Sequence, residues 1–518
     1  MLSVLTALAL GLASTAAPRP YTIAYAFRTA EPRTHVGEVT VRVSGRDADS
    51  VRFQLPSWYP GRYAIYNFAA NVFEERARCG DADVPAVKRD KSTWVVACPR
   101  GRAVEFGYKV WWNDLTGSTS QIDSTHAHVN PGNVFPYVVG HKPDPVTVRW
   151  EGPQGWSIVN GDTARGPEYR FPNYDLMIDH PTELSAAATL DSFRVGKVTY
   201  RVLLHTDKEP GAMRARLVGD IERIVRAQVA MWGDPPTPSY TFLMHFMDKN
   251  GGDGMEHLTS THVSRPQSLA DMADPETYLP RIEVISHEFF HTWSMKRLRA
   301  KELGPWDYTR ENYTTTLWIG EGITNYYGAR HMLRAGVWDT TRYLRRVARA
   351  VAQLEARPAR RWMSAEESSL SAWLFDGVPL RQRVPADSAS ISYYNKGELL
   401  GWLLDLDIRA RTGGRKSLDD VMRLMWRRFW EAPAESYYLQ GRGYTGADFQ
   451  RAVSEVAGTD YGPFFRRYVS GTDELPYAEV LGRVGLRLGA AAADGTRTLT
   501  LDPAAPGAAL GRAWLEGR

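Results

Sequence analysis

A chain of 518 residues is longer than one hydrophobic core usually serves, so two or three domains are expected, and its 43% hydrophobic and 11% aromatic content is that of an ordinary globular protein. Lys and Arg number 63 against 59 Asp and Glu, a formal net charge of only +4 with no dense basic run, which excludes an electrostatic surface for nucleic acid. No stretch approaches 18 uninterrupted apolar residues, so no membrane span is expected.

The chain opens with an apolar run from Val4 to Ala13 followed by Ser14, Thr15, Ala16 and Ala17. Residues 1–17 read as a secretory signal peptide cut after Ala16 or Ala17, although its first residues lack Lys or Arg. The mature protein is then periplasmic or secreted. No cysteine follows the run to take a lipid anchor. The two cysteines, Cys79 and Cys98, fall in one early segment. In an exported protein they form a disulfide closing a short loop, worth about 3 kcal/mol, with two buried free thiols as the alternative.

From Tyr21 to about Arg201 the signal is β, and residues 18–205 read as one domain. Tyr21 to Phe27 and Gly37 to Val43 alternate with period two, and short runs of this kind separated by Gly, Pro, Asn and Asp predict an antiparallel sandwich. The aromatic stretch Leu55 to Tyr63 reads as a packed loop. Near Arg201 the pattern changes. Arg214 to Trp232 has helical periodicity, Tyr240 to Phe246 reads as a buried strand, and a glycine-rich bend then leads through Gly254 and Met255 to Glu256.

The next helix, read over Ile282 to Arg299, carries His287-Glu288-Phe289-Phe290-His291. Residues i and i+4 share a helical face, so the two imidazoles can meet at one metal ion, while Glu288 lies to the side and can reach a water there. Composition alone would produce such a pattern in about one or two chains of this kind per hundred. Pro280 suits the helix start, and Lys296, Arg297 and Arg299 suit its end. Beside such a helix, the bend before Glu256 reads as an edge strand presenting one carboxylate to an end of the substrate. A second helix around Thr314 to Ala335 places Glu321 among large apolar residues, where a carboxylate is costly unless it is paired or binds a cation. Glu321 is therefore the expected third ligand. A third histidine in the pattern H-E-x-x-H-x-x-G-x-x-H is ruled out by Ser294 and Arg297, and the rival acids Glu302, Asp307 and Glu311 have more solvated surroundings. Further helices are read from Tyr393, with either Tyr393 or Tyr394 able to face the metal, and over Ser417 to Phe429, Gly446 to Ala457 and Gly462 to Val469. Past Gly471 comes only a short strand-like pair, Val480 to Leu488 and Thr496 to Leu501.

Two histidines and a glutamate leave a tetrahedral zinc one open position, the arrangement of a catalytic site. Glu288 would take the proton from an activated water and hand it to a leaving amine, so the chemistry expected is amide hydrolysis, with a tyrosine hydroxyl as an added donor to the oxyanion. A zinc-stabilised binding protein without activity is the reading from another class, and an intact Glu288 argues against it.

These motifs, together with Trp58 to Tyr63, Gly254-Met255-Glu256-His257, Asp307-Tyr308-Thr309 and Tyr394-Asn395-Lys396-Gly397, resemble the glycyl aminopeptidase family of gluzincin zinc metallopeptidases, relatives of the aminopeptidase N family. The resemblance implies a multidomain fold: an N-terminal antiparallel β-sandwich-like domain, a thermolysin-like, mainly helical α+β catalytic domain over 206–472, and a PDZ domain of which 473–518 is a short remnant, so PDZ-type partner binding is not expected. It implies one zinc per chain on His287, His291 and Glu321, Glu288 as base, Tyr394 as oxyanion donor, and Glu256 with Gly254 and Met255 as the binding strand for peptides with a free N-terminus. Preference for Gly or Ala at that terminus is a further implication. An endopeptidase remains the alternative within zinc hydrolases.

Overall fold

The computed structural model describes residues 20–162, 166–248, 251–375 and 386–517, so the leader read over 1–17 lies outside the described residues. Up to Ser185 the strands build three sheets. The largest runs, from edge to edge, through Glu168–Phe171, Val146–Glu151, Thr22–Arg28, Val36–Ser44, Val104–Trp111, Val72–Cys79 and Ala82–Val84. Period-two alternation does what it predicts: Ile23, Tyr25 and Phe27 are buried beside Val39, Val41 and Val43 of the neighbouring strand. One pairing departs from the antiparallel expectation. Thr22–Arg28 lies parallel to Val146–Glu151, and the intervening chain, which such a pairing requires, supplies strands of the two smaller sheets. Cys79 and Cys98 are bonded, tying the large sheet to the four-stranded sheet that contains Thr93–Ala97.

The β-rich run to Arg201 extends beyond this unit's own sheets. Thr189–Val195 and Val198–Thr206 belong to a five-stranded sheet with Ser239–Phe246, Ser260–Arg265 and Gly254–Glu256, in which Val198–Thr206 pairs in parallel with Ser239–Phe246. The helix Ala212–Trp232 is the crossover, and buries Leu217, Ile221, Ile224 and Val225. Alternation reports a half-buried strand but not which sheet it joins. Gly254–Glu256 is one of the two edge strands, antiparallel to Ser260–Arg265.

Helices complete the second unit, the longest described being Ala212–Trp232 and Tyr393–Thr412. Beyond Gly471 a helix, Tyr477–Gly482, a strand pair, Leu486–Leu488 with Leu499–Leu501, and a last helix, Ala508–Leu515, pack into the same core. Trp514 is fully buried, donates through Nε1 to the Tyr326 hydroxyl at 3.2 Å, and covers the Arg330 guanidinium at 4.9 Å. Among the described residues no helix is long and apolar enough to cross a membrane.

The two units share side chains where they meet. Tyr63 of the first is buried in the core of the second, and Met255 of the second is buried in the core of the first. Trp58 donates to the Asp307 carbonyl at 2.9 Å and the Ser57 amide to the Tyr308 carbonyl at 2.9 Å, so the aromatic loop is pinned to the chain that follows the metal helix.

Candidate active site

The helix bearing the histidines spans Glu283–Phe290 and is shorter than its periodicity suggested. Pro280 sits inside the preceding helix, Pro275–Arg281, and the chain reverses after His291. There the Lys296 amide donates to the His291 carbonyl, the Leu298 amide to the Trp293 carbonyl, and Met295 takes a left-handed φ of 77°. The cations read as a helix terminus face inward instead. Lys296 meets Asp179 of the N-terminal unit at 2.8 Å, and Arg297 donates to the carbonyls of Thr292 and Leu258.

Glu321 arrives from the second helix, where Trp318–Ile323 is wound as a π-helix before Thr324–Arg334 continues as α. Such a wide turn disturbs the i, i+4 ladder and is found most often at functional sites. Gly322 allows the helix Tyr393–Thr412 to approach so closely that a Cβ there would stand 2.5 Å from the Gly397 Cα. That approach brings Tyr394, one turn before Gly397, beside His287, with ring centroids 6.2 Å apart.

The three expected ligands converge. His287 Nε2 lies 3.0 Å from His291 Nε2, and Glu321 Oε2 lies 3.3 and 3.2 Å from these two atoms. A tetrahedral zinc with bonds of about 2.0–2.1 Å would separate its ligand atoms by about 3.3 Å, so the side chains fit that ion with little movement. His291 Nδ1 contacts the Ser294 carbonyl at 3.2 Å, a bond that leaves Nε2 as the lone-pair nitrogen. The donor set and its surroundings suit a cation: Glu256, Glu288 and Glu321 are all buried around it. Burial, with the Glu256 and Glu321 carboxylates nearby, drives the Glu288 carboxyl well above the ordinary range, and burial likewise raises Glu256. Burial acts in the same direction on Glu321, yet the two imidazoles outweigh it and hold this carboxyl below its usual value.

Glu288 places an oxygen within 4.8 Å of both imidazole donors. Gly254 makes this possible, since any Cβ there would collide with the Glu288 carboxylate. Along the edge strand Gly254 and Glu256 line a cavity of about 360 Å³ together with His287, His291, Glu321 and Tyr394. Met255, expected in the binding set, alternates away: its side chain is buried in the N-terminal core, leaving only its main chain at the edge. Tyr393 stacks on Tyr394 at 4.7 Å and lines a neighbouring pocket. The cavity also holds residues not singled out from sequence: Asn325, one turn beyond Glu321; Arg346, held between Glu283 and Glu398; and Arg62, from the aromatic loop, paired with Asp253 at 2.6 Å. Arg346 and Arg62 come from elements remote in sequence, so periodicity gave no hint of them, whereas Asn325 shares the helical face of Glu321.

A second group of imidazoles fills the seam between the units. His126 Nδ1, His128 Nδ1 and His245 Nε2 bond the Glu183 carboxylate at 2.9, 3.1 and 3.2 Å, His262 Nε2 bonds His245 Nδ1 at 3.1 Å, and His205 stacks on His126. Their ligand atoms are near enough for metal: His128, His245 and His262 form one set and His126, Glu183 and His205 another, each within 4.8 Å. Ring geometry divides the cluster: His128/His245 and His245/His262 stand at 5.1 and 5.0 Å with rings 74° and 75° apart, whereas two other pairs are stacked. Two imidazoles on one tetrahedral ion stand about 5 Å apart with lone pairs converging, as His287 and His291 do at 4.6 Å and 83°. His126/His205 and His128/His262 are face to face at 4.2 and 4.0 Å, with rings 24° and 26° apart. Glu183 accepting from three imidazoles ties most of the cluster into a hydrogen-bonded network, while His128 Nε2 and His262 Nδ1 are buried without a hydrogen-bond partner among the described residues.

Comparison with known proteins agrees with this geometry. Residues 281–400 match the model of the M61 glycyl aminopeptidase family and residues 24–186 that of the peptidase M61 N-terminal domain, together more than half of the chain. Among solved structures the chain is similar to an aminopeptidase N family protein from Idiomarina loihiensis, with 24% identity, 90% of this chain and 79% of that one covered, and a TM-score of 0.81. It is also similar to an M1 zinc metallopeptidase from Deinococcus radiodurans, at 15% identity, 88% and 96% coverage and a TM-score of 0.50. At these identities the two structures speak to the fold. No curated protein sequence matches the chain.

Proposed function

This chain belongs to the M61 glycyl aminopeptidase family and is a zinc metallopeptidase, and from that premise we propose that it removes N-terminal residues, Gly or Ala by preference, from peptides with a free N-terminus. The observation that carries the exopeptidase reading is the buried Glu256 carboxylate on the wall of the cavity that holds the three converging ligands. A carboxylate in that place recognises an ammonium by a charge-assisted hydrogen bond and sets the first peptide bond at the reacting centre.

His287, His291 and Glu321 would hold one zinc, which supplies Lewis acidity, lowering the pKa of a water towards 7 and polarising the scissile carbonyl. Glu288 then takes the water's proton and delivers it to the departing amine nitrogen. Tyr394 donates its hydroxyl to the oxygen that gains charge. The edge strand Gly254–Glu256 offers main-chain groups to an extended peptide. We read the protein as exported, on the 1–17 leader and the bonded Cys79–Cys98 pair, and its tail as PDZ-like, on the strand pair and helix past Gly485.

The test is Glu288→Gln in the zinc-loaded protein: metal content stays at one per chain while kcat for a glycyl anilide falls by about 10²–10⁴. Parent protein should leave N-acetylated peptides uncut. Equal turnover of acetylated and free peptides would sink the exopeptidase reading and favour an endopeptidase.

A further inference from the structure

Asp179, at the end of the short helix Tyr174–Ile178, lies in the N-terminal unit yet is buried against the catalytic one. Its Oδ1 accepts from Lys296 Nζ at 2.8 Å and from His257 Nδ1 at 3.1 Å, and its Oδ2 accepts from the Leu258 amide at 3.0 Å. His257 and Leu258 immediately follow Glu256. Lys296 belongs to the reversal that follows His291, and its own amide is bonded to the His291 carbonyl. The Leu258 peptide is held on its other side by Arg297, whose Nη1 reaches the carbonyl at 3.0 Å, and Thr259 Oγ1 contacts His180 Nε2 at 3.1 Å. One carboxylate from another unit thus joins the turn behind the edge strand to the turn behind the metal helix.

We propose that Asp179 is a positioning residue for peptide binding: with Lys296 as its counter-ion it fixes the His257–Leu258 turn, and so the direction in which Glu256 presents its carboxylate to the substrate's ammonium. The inference rests on the reading of Glu256 as the ammonium anchor. The charge arrangement has its own logic. A buried lysine near Glu256 would compete with the incoming ammonium; pairing with Asp179 neutralises it and leaves Glu256 to the substrate. Removing one partner alone would strand a buried charge, so the pair is best changed together.

The experiment uses the full-length, zinc-loaded protein carrying Asp179→Asn with Lys296→Met, alongside Glu256→Gln. Glycyl 4-nitroanilide is compared with acetyl 4-nitroanilide, its analogue without the amino group. The pair variant should keep one zinc per chain and kcat within threefold, raise KM for the glycyl substrate about tenfold, and lower the preference for the free amine towards that of Glu256→Gln. KM and preference within twofold of the parent, with Glu256→Gln reducing the preference, would leave Asp179 a mere structural contact and overturn the proposal. A Glu256→Gln protein with unchanged preference would remove the anchor reading itself. Should the pair variant not fold, His257→Leu, which spares the ion pair and deletes one bond to Asp179, carries the same test: a KM rise of threefold or more with kcat held supports the proposal, and an unchanged KM overturns it.

Discussion

Acid should loosen the seam before it reaches any exposed charge, and His205→Gln isolates one part of that effect. Burial, reinforced by the nearby His126, holds the His205 imidazole down to about 4, and burial holds His245 down to about 3. Both stay neutral in the folded chain where the unfolded chain would protonate them near 6.5. Below that pH the unfolded state binds more protons, so stability falls as pH falls. Between pH 7 and 5 each such imidazole removes about 2 kcal/mol, and the two together about 4 kcal/mol. His126 runs the other way: burial lowers it, but the Glu183 carboxylate outweighs burial and raises it. Its contribution is stabilising below 6.5 and returns at most about 1 kcal/mol over the same interval. His262, which burial also holds well below its usual value, adds a loss of the same sign, so the seam should lose at least about 3 kcal/mol, a large share of what holds most domains folded. Urea unfolding followed by tryptophan fluorescence at pH 7, 6 and 5, at fixed zinc, measures it. In His205→Gln the loss from pH 7 to 5 should shrink by about 2 kcal/mol, whatever the variant's stability at pH 7. A variant that loses as much as the parent would refute the assignment of His205 as a buried neutral base.

The remaining expectations concern the site and the tail. Tyr394→Phe should lower kcat on glycyl substrates by about 10²–10³ with zinc retained, while Tyr393→Phe stays within a few-fold of the parent; equal losses in the two would remove Tyr394 from the chemistry. Trp514→Ala should destabilise the catalytic unit by about 3–5 kcal/mol, since it empties a fully buried site and uncovers Arg330. A melting curve unchanged by that substitution would mean that the tail is not part of the core.

What could be read from sequence was what chemistry confines to short spacings. His287, Glu288 and His291 sit on consecutive turns because one ion must touch two of them, and Glu321 stood out because a carboxylate among Trp318, Ile319 and Ile323 needs a cation. Where the metal helix ends was not legible: Phe289 and Trp293 continue the apolar stripe through a reversal that is fixed by Met295 and by the bonds Lys296 and Arg297 make to distant residues. The allotment of Val198–Thr206 was hidden for a related reason, since an alternating strand looks the same in either sheet. The Glu183 network was out of reach altogether. Its members come from strands spread between residues 126 and 262, and neither Glu183 nor any of the histidines is tied to the others by a short sequence spacing except His126 and His128.

The exchange of Tyr63 and Met255 across the seam has a bearing on how the chain is made. During synthesis the first unit emerges early and could settle around its own sheets, but its core takes in Met255 and Tyr308 of the later chain, and Glu183 gains its bond from His245 only once that strand has followed. Docking of the two units would thus complete the molecule, and the same contact brings Asp179 and Gly61 to the cleft. Hydrolytic power would be switched on by completion of the whole molecule, so that a half-made chain exposes no competent protease to its surroundings.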